Sequence, residues 1–122
     1  MYNPLRRHKV SFRHAFDGFL YAIRTQPNFR FHLLATIAVI LLGVYFSISF
    51  VEWLILVFTI NMVLVAELVN TAIEAMVDLI TLEKRVDAKT AKDVAAAMVL
   101  ISAGLSIIIG LIIFLPKILS SF

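Results

Sequence analysis

The sequence predicts an all-α integral membrane protein, with an N-terminal amphipathic surface helix followed by three transmembrane helices. Three observations carry that expectation. Hydrophobic residues make up 61% of the 122 residues, against about 45–50% in a soluble domain. Charged residues make up only 16%, against about 25%. The apolar residues fall in three runs, each close to the roughly 20 residues that a helix needs to cross a bilayer. A soluble chain of this length has no interior large enough for so much apolar surface, whereas a bilayer supplies an apolar solvent.

The first element is read over residues 5–26. Phe12, Phe16, Phe19, Leu20 and Ile23 recur at i, i+4, i+7, i+8 and i+11 and draw one apolar stripe. Arg13, His14, Asp17 and Arg24 fall off it. An aromatic stripe flanked by basic residues suits a helix lying in the membrane interface, although the same stripe would also serve to pack on other helices. Pro27 ends the pattern and suits the first turn of a new helix. The first span is expected over residues 31–51, apolar apart from His32 at its edge. The second is expected over residues 53–78, opening on Trp53 as an interface anchor and running past Ala66 into a polar cytoplasmic extension with no glycine or proline to stop it. The third is expected over residues 94–115, closed by Pro116 and Lys117, with Ala95, Ala96, Ala97, Ser102, Ala103 and Gly104 permitting close helix packing. Together these make a single domain.

The basic residues set the expected orientation. Arg6, Arg7, Lys9, Arg13, Arg24 and Arg30 precede the first span, and Lys84, Arg85, Lys89 and Lys92 lie between the second and third. The turn around Ser47–Glu52 has no lysine or arginine, and the C-terminal end has only Lys117. The positive-inside rule then puts the N-terminus and the second connection in the cytoplasm and the C-terminus outside. No apolar stretch follows the first basic residues closely enough for a cleaved signal, so the whole chain is read as mature protein. The formal charge of +3 sits mostly in two short membrane-flanking segments, which favours a membrane surface over nucleic acid as the partner. Without cysteine, disulfides, thiolate metal sites and cysteine nucleophiles are excluded.

Chemistry is concentrated in Ala66–Asp78. At about 100° per residue, Glu67, Asn70, Glu74 and Asp78 fall near 0°, 300°, 340° and 20°, one face about 80° wide. Carboxylates beside hydrocarbon are costly unless paired or bound to a cation. A row of acids with no basic residue among them invites a divalent metal, and oxygen ligands suit magnesium. The same face would also serve as a solvated helix end, or line a cation path through an oligomer. Lys92 opens the third span, within reach of this face if the second and third helices pack antiparallel; it can meet phosphate as a point charge or simply snorkel to the membrane edge. Neither a G-x-x-x-x-G-K-[ST] nor a G-x-G-x-x-G motif occurs, so a bound nucleotide has to be held by helix-borne side chains and metal.

These residues resemble the prokaryotic diacylglycerol kinase family. Its motif E-x-x-N-[ST]-[AS]-x-E-x-x-x-D is matched by Glu67, Asn70, Thr71, Ala72, Glu74 and Asp78, and its A-K-D-x-x-A-A motif by Ala91, Lys92, Asp93, Ala96 and Ala97. Asn28–His32 and Gly110–Lys117 resemble the Gram-positive branch, associated with undecaprenol. The resemblance implies a homotrimer in a bacterial cell membrane that uses ATP and Mg2+ to phosphorylate a lipid hydroxyl. It implies Glu67 as the base near that hydroxyl and Glu74 as a magnesium ligand. It further implies that Asn70 and Asp78 order the nucleotide site, that Lys92 holds the phosphates, and that Asp93 supports nucleotide binding. One position departs from the pattern: Gln26 stands where the family has a metal-binding glutamate, so magnesium is expected to be held more weakly. The leading expectation is undecaprenol phosphorylation. The alternatives are a diacylglycerol kinase making phosphatidic acid, and a catalytically impaired member or non-catalytic membrane subunit.

Overall fold

The computed structural model describes residues 11–122, which form four helices and no strand. They are α1 (Phe12–Thr25), α2 (Pro27–Tyr45), α3 (Phe50–Ile80) and α4 (Val86–Ser120). The last three are long and apolar enough to cross a membrane. Arg6, Arg7, Lys9 and the first residues of the expected surface helix, 5–10, lie outside the described residues.

Ser11 caps α1 by accepting from the His14 amide at 3.4 Å. The aromatic stripe of this helix is divided. Phe12 and Phe16 are exposed, while Phe19 meets fully buried Phe29 of α2 edge-on, with centroids 5.4 Å apart, and Ala22 is buried. The C-terminal half of α1 is thereby fixed to the bundle, and its N-terminal half offers phenylalanines outward. The elbow into α2 is tight. Gln26 ends one helix and begins the next, and Pro27 occupies the first turn of α2 without forfeiting a hydrogen bond. The Arg30 guanidinium reaches back to the carbonyls of Ile23 (3.0 Å) and Arg24 (3.2 Å), two acceptors that the end of α1 would otherwise leave unsatisfied.

The first span does not run to Val51: α2 stops at Tyr45, and Val51 already belongs to α3. Phe46, Ile48, Phe50 and Val51 keep the hydropathy high across the turn, so the apolar run conceals the break. What makes the break is Ser47 in the left-handed region (φ 48°) followed by a capping box. There Ser49 Oγ accepts from the Glu52 amide (3.2 Å), and Glu52 Oε1 accepts from the Ser49 amide (3.1 Å). This cap also starts α3 at Phe50 rather than at Trp53.

Trp53 is half-buried against the turn. A Cβ added to Gly43 would lie 2.7 Å from one atom of its ring and 3.1 Å from Ile48 Cδ1. Gly43→Ala should therefore lower stability by about 1–3 kcal/mol through overpacking. Denaturant unfolding in detergent, followed through this single tryptophan, would measure the loss; an unchanged midpoint would mean the turn is not packed as described.

The third span also differs from expectation. Its helix begins at Val86, not Val94, because a polar first stretch is helical without being apolar. An i,i+4 ion pair between Lys89 and Asp93 and the Thr90 hydroxyl bonded to the Val86 carbonyl (2.9 Å) support that stretch. Pro116 does not close the helix, which continues to Ser120. Pro116 cannot donate to the Ile112 carbonyl one turn back, a loss confined to the last turns of the helix, while Lys117 Nζ adds a bond to the neighbouring Ile113 carbonyl at 3.1 Å. The same ammonium holds Glu52 at 2.7 Å. With Asp78 bound to Lys92 at the other end (2.7 Å), α3 and α4 are tied antiparallel at both ends. Ile48, Leu56, Ile113 and Phe114 form the buried cluster between them near the Glu52 end.

Candidate active site

At about 1.5 Å per residue, the 31 residues of α3 span about 46 Å. A hydrocarbon layer of about 30 Å, counted from Phe50, takes up roughly twenty of them. Glu67 then lies at the rim of the hydrocarbon, and Glu74 and Asp78 stand beyond it. Burial follows the same gradient: Glu67 is 2% exposed, Asn70 9%, Glu74 is half-buried and Asp78 exposed. The acids expected on one face are on one face, but they fall into two groups with different partners.

The inner group holds His32, Glu67, Asn70 and Glu74. Asn70 Nδ2 donates to Glu74 Oε1 at 3.3 Å, which turns Asn70 Oδ1 the other way, buried and without a hydrogen-bond partner. Glu67 Oε1 is likewise buried and unbonded. His32 Nε2 approaches that oxygen to 3.3 Å, a contact close enough for charge interaction but off the hydrogen-bonding direction. An orphaned buried acceptor costs about 1–3 kcal/mol. Two of them on one face mark a place kept for a donor or cation from outside the chain.

The outer group lies where α3 leaves the membrane and α4 returns. Lys92 reaches the acidic face as antiparallel packing requires, yet it is not a free phosphate-binding cation: Nζ donates to Asp78 Oδ1 at 2.7 Å. The row itself contains no basic residue, as expected, and its partners, His32 and Lys92, come from other helices. Asp93 does not join the face; it pairs with Lys89, one turn away. An open recess of about 430 Å³ is bordered here by Lys84, Arg85, Lys89 and Lys92 together with Asp78 and Asp93.

Gln26, half-buried at the α1–α2 elbow, makes no side-chain hydrogen bond among the described residues. The fit of these side chains to magnesium can be judged from the donors. Among the described residues no three histidine or carboxylate side chains converge into a cage. Magnesium at phosphate-transfer sites instead takes one or two carboxylates and completes its octahedron with phosphate oxygens and water. A half-buried Glu74 fits that mode as the carboxylate.

Two features escaped the sequence reading. His32 reads in the sequence only as the edge of an apolar run, although an ionisable side chain inside such a run is itself a signal. The second feature is a narrow cleft of about 80 Å³ between α2, α3 and α4, lined by His32, Thr36, Val39, Thr59, Ser106 and Gly110 among others. It joins the inner group through His32 and brings together residues too far apart in the chain for any periodicity to relate.

Sequence comparison agrees with this architecture. Residues 13–114 match the family described as Prokaryotic diacylglycerol kinase. The chain is 47% identical over 115 residues to the undecaprenol kinase of Bacillus subtilis, covering 94% of each protein. It is 40% identical over 112 residues to a diacylglycerol kinase of Synechocystis, covering 91% of this chain and 64% of that one. A diacylglycerol kinase of Pseudomonas aeruginosa is 35% identical over 80 residues, 66% of this chain and 65% of that one. The helices, the buried acidic face and these matches together make the chain a multi-pass membrane protein that belongs to the prokaryotic diacylglycerol kinase family.

Proposed function

We propose that this chain is a lipid kinase that transfers the γ-phosphoryl group of ATP to the hydroxyl of undecaprenol. The observation that carries the reading is the buried, unbonded Glu67 oxygen at the hydrocarbon rim, on one helix face with Asn70, Glu74 and Asp78. A lipid hydroxyl reaches that depth from the bilayer, and a nucleotide reaches the outer group from water. Undecaprenol is favoured over other lipids by the 47% match to the Bacillus enzyme along nearly its whole length. Diacylglycerol is the second reading, favoured by the 40% match to the Synechocystis enzyme.

Phosphoryl transfer asks mainly for positioning and charge neutralisation. In the proposed mechanism Glu67 accepts the hydroxyl proton as the lipid oxygen attacks the γ-phosphorus. Lys92 exchanges its Asp78 partner for phosphate oxygens, a local move because both side chains are half-exposed. Asp78 and Asn70 order the nucleotide, and Asp93, with its Lys89 partner, frames the recess. Glu74 and Gln26 would hold magnesium, which when bound offsets the charge of the phosphates. The chain acts as a homotrimer in a bacterial membrane, with its N-terminus cytoplasmic, the 81–85 connection on the same side and its C-terminus outside.

The cleft below His32 receives the start of the lipid chain. Gly110→Leu tests this: a Cβ there meets nothing within 4 Å, so the backbone has room for a side chain beside the cleft, and unfolding in detergent checks that the variant folds. The KM for lipid should rise several-fold with the KM for ATP unchanged; equal effects on both would place the chain elsewhere. The function itself is tested by purifying the chain in detergent and following labelled phosphate from ATP into undecaprenol, with and without magnesium. Magnesium-dependent labelling is expected, and its absence at any enzyme concentration would contradict the proposal.

A further inference from the structure

Resting on the kinase reading, we propose that His32 receives the hydroxyl proton from Glu67 after each transfer, making it a second, proton-accepting residue of the site. The geometry points to this from four sides. His32 Nε2 stands 3.3 Å from Glu67 Oε1, the oxygen that has no hydrogen-bond partner. Glu67 is almost wholly buried, with 3% of its side chain exposed, so a proton taken from the lipid has no direct way into water. The His32 side chain, 16% exposed, is the more accessible of the pair. Its place is fixed by α2, whose next turn ties back to it through the Thr36 hydroxyl and the His32 carbonyl (2.7 Å).

Simple packing does not account for the ring. Its aromatic neighbour, Phe31, meets it edge-on at 5.6 Å and is itself 67% exposed. His32 lies where the cleft meets the buried acid.

The step balances as follows. The lipid O–H bond breaks and its proton moves to Glu67, while the lipid oxygen forms a bond to the γ-phosphorus and the bond from that phosphorus to the ADP oxygen breaks. Glu67, now a carboxylic acid, gives the proton to the Nε2 lone pair of His32 in its Nδ1–H tautomer. That restores the carboxylate for the next turnover and leaves an imidazolium, which loses its proton to water. Imidazole suits this duty because one ring nitrogen can take up a proton while the other carries one.

Two variants and a rescue decide the matter. His32→Ala should lower kcat about 100-fold, at the low end for a proton-transfer residue, with the KM for ATP unchanged. Added imidazole should restore part of that kcat, because the deleted ring leaves space beside the cleft. His32→Gln keeps a polar group near the Nε2 position but cannot carry the proton, so its kcat should stay low and respond little to imidazole. Unfolding in detergent, measured for both variants, separates a folding failure from a catalytic one, and a folded His32→Gln alone suffices. Full activity in His32→Gln, unchanged kcat in His32→Ala, or no recovery with imidazole in a folded His32→Ala would each overturn the inference. A wild-type chain that labels no lipid would overturn the kinase reading and this inference with it. A wild-type chain that labels lipid no faster than His32→Ala overturns this inference alone.

Discussion

Glu67→Gln should reduce lipid phosphorylation by about 100- to 10,000-fold, the range attributed to a positioned general base, while the protein stays folded. The substitution keeps the shape of a side chain that is 2% exposed and removes its ability to accept a proton. It also removes a buried carboxylate whose Oε1 is unbonded, so stability should hold or rise slightly. Binding of ATP should be little affected, because the nucleotide meets the outer group around Lys92 rather than Glu67. Steady-state transfer to lipid, with nucleotide binding and unfolding measured in parallel, separates these effects. Turnover within a few-fold of wild type would remove Glu67 from the role of base.

Gln26→Glu should have the second-largest effect, in the direction of gain. Gln26 offers a carbonyl oxygen where the family resemblance implies a carboxylate. A full negative charge near a divalent cation gains several kcal/mol at an effective dielectric constant near 20, much of it offset by desolvation. A net gain of about 1.4–2.8 kcal/mol lowers the magnesium concentration for half-maximal activity roughly tenfold to a hundredfold. Kinase assays across a magnesium titration would show the shift, with the maximal rate rising if the natural chain is held back by weak metal binding. An unchanged magnesium requirement would mean that position 26 does not meet the metal, and that the elbow serves only to join α1 to α2.

The sequence was legible where one physical signal acted alone. Three apolar runs became three long helices, and the spacing of Glu67, Asn70, Glu74 and Asp78 placed them on one helix face, because period and length are properties of a single segment. Hydropathy misled where apolar residues also made a turn. The break before α3 was written in Ser49 and Glu52, a capping box inside an apolar run, and could have been read from that spacing alone. Pro116 misled in the opposite sense. Its ring costs one backbone bond near the C-terminal end, and the helix carries on to Ser120 without it.

The site was less legible, since its partners come from three helices. That Lys92 would reach the acidic face followed from antiparallel packing, but its exchangeable bond to Asp78 is a matter of side-chain distance. His32 and Glu67 are separated by a whole helix and a turn, and no spacing rule links them. The two orphaned oxygens, which most directly mark the face as a site, are visible only once burial and hydrogen bonding are known together.

The most direct test offers undecaprenol and diacylglycerol together to the purified chain in one detergent preparation, with labelled ATP and saturating magnesium, and separates the two products. Phosphate should enter undecaprenol in clear preference to diacylglycerol, and Glu67→Gln should abolish both signals. Preferential labelling of diacylglycerol would keep the kinase and reverse its substrate. No labelling of either lipid, even after Gln26→Glu, would contradict the claim that this acidic face carries phosphate to a membrane alcohol.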